Sequence, residues 1–399
     1  MTTERKIGLS RRDFVKCVGM SVAAGGLVLG RPATAEENAT AKTAPVQTNL
    51  ADFMRAAKGR HAIPGPFPGK VVQVSSEGCL REDVVDAKVV AAMLEQGVRG
   101  LTGRSMKDSF QMFFGRGDIV GLKVNPVGAP LINTRLEVVD AVAKWLCDNG
   151  LPTKNVVIWD RFEDMLEKAG FTADRFPGMR VEALQIMAEE GQPFLDKEGR
   201  HVSASRFDQG VYYLARGVTG KGVAGYKDDA YYLNQHVFDG ERSYFGKLVT
   251  QRLTKIINLP VFKNTGQGIS VATKNLGYGA ICNTGRLHKP LFFRVCTEVL
   301  AAPCIRDKLV LNIADGIRGQ YEGGPMKNAQ FVYPHRSLYF ATDPFALDML
   351  CHNQLVAIRK REGIKVNEHP KFTDYLRQAE GLGLGVVEGG KIKHVMVEV

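Results

Sequence analysis

The segment from Lys255 to His288 constrains the fold more than any other part of the chain. An apolar run, Ile256 to Leu259, stops at Pro260 and opens into text carrying two Lys-Asn pairs, Lys263-Asn264 and Lys274-Asn275, among glycines 266, 268, 277 and 279. A strand that ends in a charged, glycine-rich loop is a site architecture. In an open α/β sheet, ligands gather at the carboxyl ends of strands, where glycine lets backbone N–H groups approach and lysine neutralises an anion. Ordinary solvated surface also carries lysine, so charge alone does not decide the matter.

The rest of the chain supports such a sheet. Val71 to Val74 reads as a strand, Asp83 to Gly97 as a helix, Ile119 to Val124 as a strand, Arg135 to Cys147 as a helix and Asn155 to Trp159 as a third strand. This βαβαβ rhythm is the mark of a parallel sheet flanked by helices. It breaks over about 172–245, a charged stretch with tyrosines at 212–213 and 231–232 that reads as an inserted cap. Alternation returns with Lys255–Leu259, a helix around 291–301, Leu309–Ile313, Ser337–Ala341, a helix from Pro344 and an edge strand over Lys391–Val399. The expected fold is therefore α/β: a mostly parallel sheet flanked by helices, with an inserted cap-like segment in the middle.

The amino terminus has its own signature. Ser10-Arg11-Arg12-Asp13-Phe14-Val15-Lys16 precedes a Gly/Ala-rich apolar run, Cys17 to Gly30, and then the small residues Ala33-Thr34-Ala35. Twin arginines, a short apolar run and a small-residue cleavage site read as a twin-arginine export signal. Export of a folded protein to the periplasm or beyond is the expectation, with the translocase as a transient partner and no stable membrane span after processing. Residues 36–69 read as a flexible leader, and 70–399 as the domain.

The first 35 residues hold six Lys/Arg and two Asp/Glu; without them 47 basic and 40 acidic residues remain, a net charge of +7 against +11 for the whole chain. The signs are interspersed and no basic run occurs, which argues against nucleic acid and leaves a small anion open. The six cysteines beyond residue 35, at 79, 147, 282, 296, 304 and 351, form no C-x-x-C pair, and the histidines have no metal-binding spacing. Iron–sulfur and zinc sites are not expected, whereas an oxidising compartment would permit a disulfide such as Cys296–Cys304. No nucleotide-binding fingerprint is present.

Polar residues recur where predicted strands end: Lys123 and Asn125, Asp160 and Arg161, Asp315, and Asp343. Some have simple structural explanations. Asp343-Pro344 fits a helix N-cap followed by proline in the first turn, Asp315-Gly316 a turn, and Asp160-Arg161 an ion pair. Lys123 interrupts an apolar strand, so it either pairs with a carboxylate such as Asp160 or holds a ligand. Lys263 and Lys274 fit ligand binding best, because the intervening turn supplies hydroxyl, amide and backbone donors. A desolvated lysine near other cations has a lowered pKa and can serve as base or nucleophile. His288, beside Arg286, is the histidine suited to proton transfer, although a loop histidine also serves as a hydrogen-bonded scaffold member. The glycine-rich stretch from Asp315 through Glu322 to Pro325 is placed to close over the site.

Taken together, Lys123-Val-Asn-Pro126, Asn258-Leu-Pro-Val-Phe-Lys263 with Lys274-Asn275, Asp315-Gly316 with Glu322-Gly-Gly-Pro325, and Thr342-Asp-Pro-Phe-Ala-Leu-Asp348 resemble the "domain of unknown function 362" family over most of 70–355. Many relatives have histidine where Asn264 stands and add a ferredoxin-like cysteine cluster; this chain has neither, which argues against electron transfer. The strand, glycine loop and lysine are also distantly similar to the nickel-pincer lactate racemase family, in which Lys274 would match a lysine that holds a pyridine-derived cofactor and His288 a later histidine. That likeness implies fold and anion binding, not nickel, and no cofactor is named by the sequence. The resulting expectation is an exported enzyme of isomerase, epimerase or lyase type. It would bind a small carboxylate through Lys123, Asn125, Asn264, Asn275, Arg286, Asp160, Arg161, Asp315 and Glu322, with Lys263, Lys274 and His288 catalytic. A periplasmic anion-binding protein or cofactor carrier without turnover is the alternative.

Overall fold

The computed structural model describes residues 45–186, 195–219 and 236–399. The export signal, the start of the leader and the tyrosines at 231–232 lie outside the described residues.

Fourteen strands are found among the described residues: β1 Lys70–Ser75, β2 Leu80–Arg81, β3 Val84–Val85, β4 Val120–Lys123, β5 Val156–Phe162, β6 Arg180–Gln185, β7 Phe207–Leu214, β8 Arg242–Gly246, β9 Lys255–Asn258, β10 Val261–Thr265, β11 Gly268–Ile269, β12 Leu309–Gln320, β13 Val332–Ala341 and β14 Lys393–Glu398. The main sheet has the order β14-β1-β13-β12-β9-β4-β5-β6, with β10 and β11 branching from β12. Along β12, β9, β4, β5 and β6 every pairing is parallel, and β13 runs against its neighbours β1 and β12. The protein is thus an α/β fold with a mostly parallel central sheet and flanking helices.

The central strands β4, β5 and β9 carry apolar runs because both faces of the sheet are covered there. On β5, Val157 and Trp159 join one core cluster while Val156 and Ile158 join the other. On β9, Ile256 and Ile257 divide in the same way. The helix Ala87–Thr102 begins at Asp86, whose carboxylate accepts from Lys88 N (2.9 Å) and Val89 N (3.2 Å), and stops at Gly103 with φ 69°. This start is later than the Asp83 expected from apolar spacing, because residues 84–85 pair as β3 with β2. A cap of this kind is worth about 1 kcal/mol.

Several boundaries differ from expectation. Residues 46–69 do not form a free leader: Ile63 is buried, Phe53 packs edge-on against Phe245, and Arg306 donates to the carbonyls of Phe53, Ala56 and Ala57. The insertion begins after 185 rather than near 172, since β6 is hydrogen-bonded to β5 as the edge of the main sheet. β7 and β8 make a separate two-stranded sheet, tied to the main body where Phe245 bridges Ile281. Cys296 and Cys304 are free thiols, the first lying near Lys274 and the second near Lys308. No helix among the described residues is long and apolar enough to cross a membrane.

Candidate functional site

The parallel strands bring their carboxyl ends together, and register decides which side chains meet. Lys123 ends β4, level with Trp159 on β5 and Asn258 on β9. One residue further along β5 stands Asp160. After β9, Pro260 turns the chain so that β10 pairs with the distal half of β12 and then folds back through β11, so Lys263 lies on a strand rather than in a loop. Lys274 and Asn275 sit on the short helix Ala272–Gly277. Asp348 fixes the start of that helix, accepting from Ala272 N (2.7 Å), Thr273 N (3.0 Å) and Thr273 Oγ1 (2.5 Å).

A cavity of about 550 Å³ opens between these elements. Lys123, Asn125, Asp160 and Arg161 line it from the sheet, Lys263 from β10, and Lys274, Asn275 and His288 from the segment beyond. The three lysines, predicted from residues up to 151 positions apart, share this one hollow. Among its described lining residues Asp160 is the one carboxylate facing four cations, Lys123, Lys263, Lys274 and Arg161. A second hollow of similar volume, near Asp83, Arg318 and Arg336, has both its arginines paired: Arg318 with Asp83 at 2.6 Å and Arg336 with Glu77 at 2.9 Å.

The lysines differ in how they are held. An ammonium has three N–H bonds to satisfy. Lys123 Nζ satisfies all three: it ion-pairs with Asp160 and donates to Val124 O (2.8 Å) and Asn275 Oδ1 (3.1 Å). Asn275 is itself fixed by donating to Asn258 Oδ1 at 2.8 Å. Gly279 makes room for this lysine, since a Cβ there would lie 2.5 Å from Lys123 Cε and 2.3 Å from Asn275 O. Lys263 Nζ is also satisfied three times, by Asn125 Oδ1 (3.1 Å), Val127 O (2.6 Å) and Ile132 O (3.4 Å). Lys274 is half-buried, and its Nζ has no hydrogen-bond partner among the described residues. It lies 5.2 Å from the ring centroid of Tyr278 and 5.5 Å from that of Phe292.

Burial lowers the pKa of all three. For Lys123, Asp160 opposes the shift. Burial drives Lys263 well below the usual lysine range, and the charges of Lys274 and Lys123 add to it. Its three acceptor oxygens oppose this, because only the ammonium form can donate to all of them. At Lys274 burial is opposed by Cys296, and no acceptor oxygen offsets it. His288 is pushed down to about 3, first by burial and then by the charge of Lys274, so it is a neutral imidazole at physiological pH. Its Nδ1 is 2.8 Å from Thr284 O, which can only accept; Nδ1 therefore carries the proton and Nε2 the lone pair. The imidazole lies against Tyr278, ring centroids 4.7 Å apart. Arg161 donates to Gln185 Oε1 from Nε (3.2 Å) and Nη2 (3.0 Å) and to Thr284 Oγ1, and it covers the ring of Phe162.

Four residues expected to bind ligand do not line the cavity. Asn264 follows Lys263 on β10, and neighbours on a strand face opposite ways; its Oδ1 instead accepts from Gly324 N (2.9 Å). Arg286 is buried and donates to Val218 O (2.7 Å) and Ser243 Oγ (2.8 Å), fastening the inserted segment. Asp315 lies within β12 rather than in a turn, accepting from Arg135 N (2.7 Å) and Ile317 N (3.0 Å). Glu322 pairs with Arg359 at 3.0 Å. Asp160 pairs with Lys123 and not with Arg161. Asp343 is an N-cap, accepting from Phe345 N and Ala346 N, both at 3.0 Å.

Thr265 and Ser270, the hydroxyls of the turn between the two lysines, and Gly324 and Pro325, the end of the glycine-rich stretch after Asp315, line the cavity, as do Tyr278, Thr284, Phe292 and Met326, which the sequence did not mark. Thr265 lies two residues after Lys263 on β10, so strand alternation turns both to the same side. The hydroxyls of Thr265 and Ser270 have no side-chain partner among the described residues, which leaves two neutral donors on the wall. Among the described residues no group of three or more His, Cys, Asp or Glu is arranged to hold a metal ion.

The class of protein is an α/β fold whose parallel strand ends surround a cavity lined by four cations and one carboxylate. Residues 120–353 match the family described as "Domain of unknown function (DUF362)", and the chain belongs to that family. Comparison with curated proteins gave no match. A crystal structure of a protein from Thermotoga maritima is similar over 71% of this chain and 60% of that one, at 9% identity and a TM-score of 0.36. This chain therefore spans less than two thirds of that protein.

Proposed function

We propose that the protein binds a small carboxylate in the strand-end cavity and catalyses proton transfer beside the carboxylate, as an isomerase, epimerase or lyase does. The observation that carries this reading is the charge imbalance: four cations and one carboxylate around a single hollow. Such a cavity favours an anionic guest, because partly buried charges are weakly screened. Lys274 is the proton carrier, being desolvated and without an acceptor, and the neutral His288 lies against the same ring. Lys123 and Lys263, each held by three acceptors, supply a fixed positive field rather than a mobile proton. The distant likeness to nickel-pincer lactate racemases belongs with this reading as an analogy of anion binding.

Calorimetric titration with lactate, pyruvate and oxalate tests binding. The wild-type protein should bind at least one of them, and Lys274→Met should lower affinity by tenfold or more; unchanged affinity in that variant removes the basis of the reading. Incorporation of deuterium at the α-carbon of lactate in D2O tests turnover. Tight binding without exchange would favour the second reading, a carrier, which the full hydrogen bonding of Lys123 and Lys263 suits equally well.

The reading includes export through the twin-arginine signal carried by Arg11 and Arg12. Residues 1–35 fused to a folded fluorescent reporter should carry it out of the cytoplasm, and Arg11→Lys/Arg12→Lys should keep it inside. Export of the double variant at the same rate would count against this route.

A further inference from the structure

We infer that Lys274 is an amine nucleophile that condenses with the carbonyl group of a short 2-oxo acid to form a Schiff base. The inference rests on the carboxylate-binding reading above and names the substrate class that the site would take.

Three ammonium groups share one cavity. Their mutual repulsion is relieved if one gives up its proton, and the group that does so is the one whose protonated form loses least. Lys123 loses an ion pair to a nearly buried carboxylate if it becomes neutral. Lys263 loses one of three donated hydrogen bonds, leaving a buried acceptor unpaired. Lys274 loses only its contact with two aromatic faces. A cation over a ring is worth about 0.5–2 kcal/mol, less than a buried ion pair broken on one side. The neutral amine therefore resides at Lys274, where the rings of Tyr278 and Phe292 and the half-buried position also keep bulk water from competing.

The remaining groups fit the same guest. Lys123 and Lys263 stay charged and attract the carboxylate, and the hydroxyls of Thr265 and Ser270 are available to its oxygens. A 2-oxo acid held this way presents its carbonyl carbon next to its carboxylate. In the step itself the Lys274 Nζ lone pair forms a bond to that carbon and the carbonyl oxygen takes up a proton from the amine. The carbinolamine then loses its oxygen as water, carrying away both amine protons, and a C=N bond remains. No oxidant or reductant is consumed. An imine at this position draws electrons from the adjacent carbon, which is what proton removal there requires.

Incubating the full-length protein with pyruvate and sodium cyanoborohydride, followed by intact mass measurement and peptide mapping, tests the proposal. The expected result is a single adduct, heavier than the protein by pyruvate less one oxygen, located at Lys274. Lactate, which has no carbonyl group, should give none. Lys274→Arg keeps the cation and the long stem but cannot form an imine, so it should still bind pyruvate by calorimetry and yield no adduct. Calorimetric binding of pyruvate to the wild type without an adduct would overturn the Schiff base and leave the carboxylate reading standing. Absence of both binding and adduct would overturn the two together. An adduct spread over surface lysines, or located at Lys123 or Lys263, would overturn the assignment to Lys274.

Discussion

The sheet side of the cavity and its aromatic wall hold the same side chain under opposite conditions. On the sheet side, Lys123 and Lys263 are fully buried and each has three oxygen partners. On the wall, Lys274 is half-buried and faces Tyr278 and Phe292, with no oxygen partner among the described residues. Burial alone therefore does not mark a reactive lysine. A buried ammonium with every N–H satisfied is a structural charge, whereas one without acceptors is held by a weak contact and is free to exchange its proton or take a ligand.

The largest effect expected from this contrast is on the sheet side. Asp160→Ala leaves Lys123 buried without its counterion and should lower unfolding free energy by about 3–5 kcal/mol, measured by urea denaturation. A loss below about 1 kcal/mol would mean that the pair is not a structural charge. Gly279→Ala should follow, costing about 1–3 kcal/mol, because the added methyl meets both Lys123 Cε and Asn275 O. If thermal unfolding of this variant matched the wild type, the close fit around Lys123 would be wrong.

The wall should respond in the other direction. Lys274→Met deprives no described oxygen of a partner and removes a charge that bears on Lys263 and His288. Its stability should stay within about 1 kcal/mol of wild type even as carboxylate binding falls. The pH dependence has a definite sign. The folded pKa of Lys274 lies below its unfolded value, so the unfolded chain binds more protons between the two. Wild-type stability therefore rises with pH across that window, toward about 10.4, and Lys274→Met should flatten part of the rise. A steeper rise in the variant would reverse the account of this residue.

Much of the sheet was legible because strands buried on both faces write themselves as continuous apolar runs. Lys123 stood out for the same reason, as a charge interrupting such a run. Its pairing with Asp160 was one of two alternatives the sequence left open, and strand register brings the pair together. The aromatic wall was not legible. Tyr278 and Phe292 lie in text that reads equally well as helix core, and their place beside Lys274 depends on the fold of 272–293. Asn264 and Glu322 were misplaced because motif proximity was read as spatial proximity, whereas strand alternation turns Asn264 away and Arg359 draws Glu322 aside. Arg286 was misplaced because its partners, Val218 and Ser243, come from the inserted segment, whose course the sequence does not reveal.

The chemistry of the cavity turns on which of its three lysines gives up its proton first. Nitrogen-15 NMR of the lysine side chains, titrated from neutral to high pH with assignments from single lysine-to-arginine variants, measures this directly. Lys274 should titrate below the ordinary lysine value and ahead of both Lys123 and Lys263. A Lys274 that keeps its proton to about 10.4, or loses it after the other two, would contradict the account.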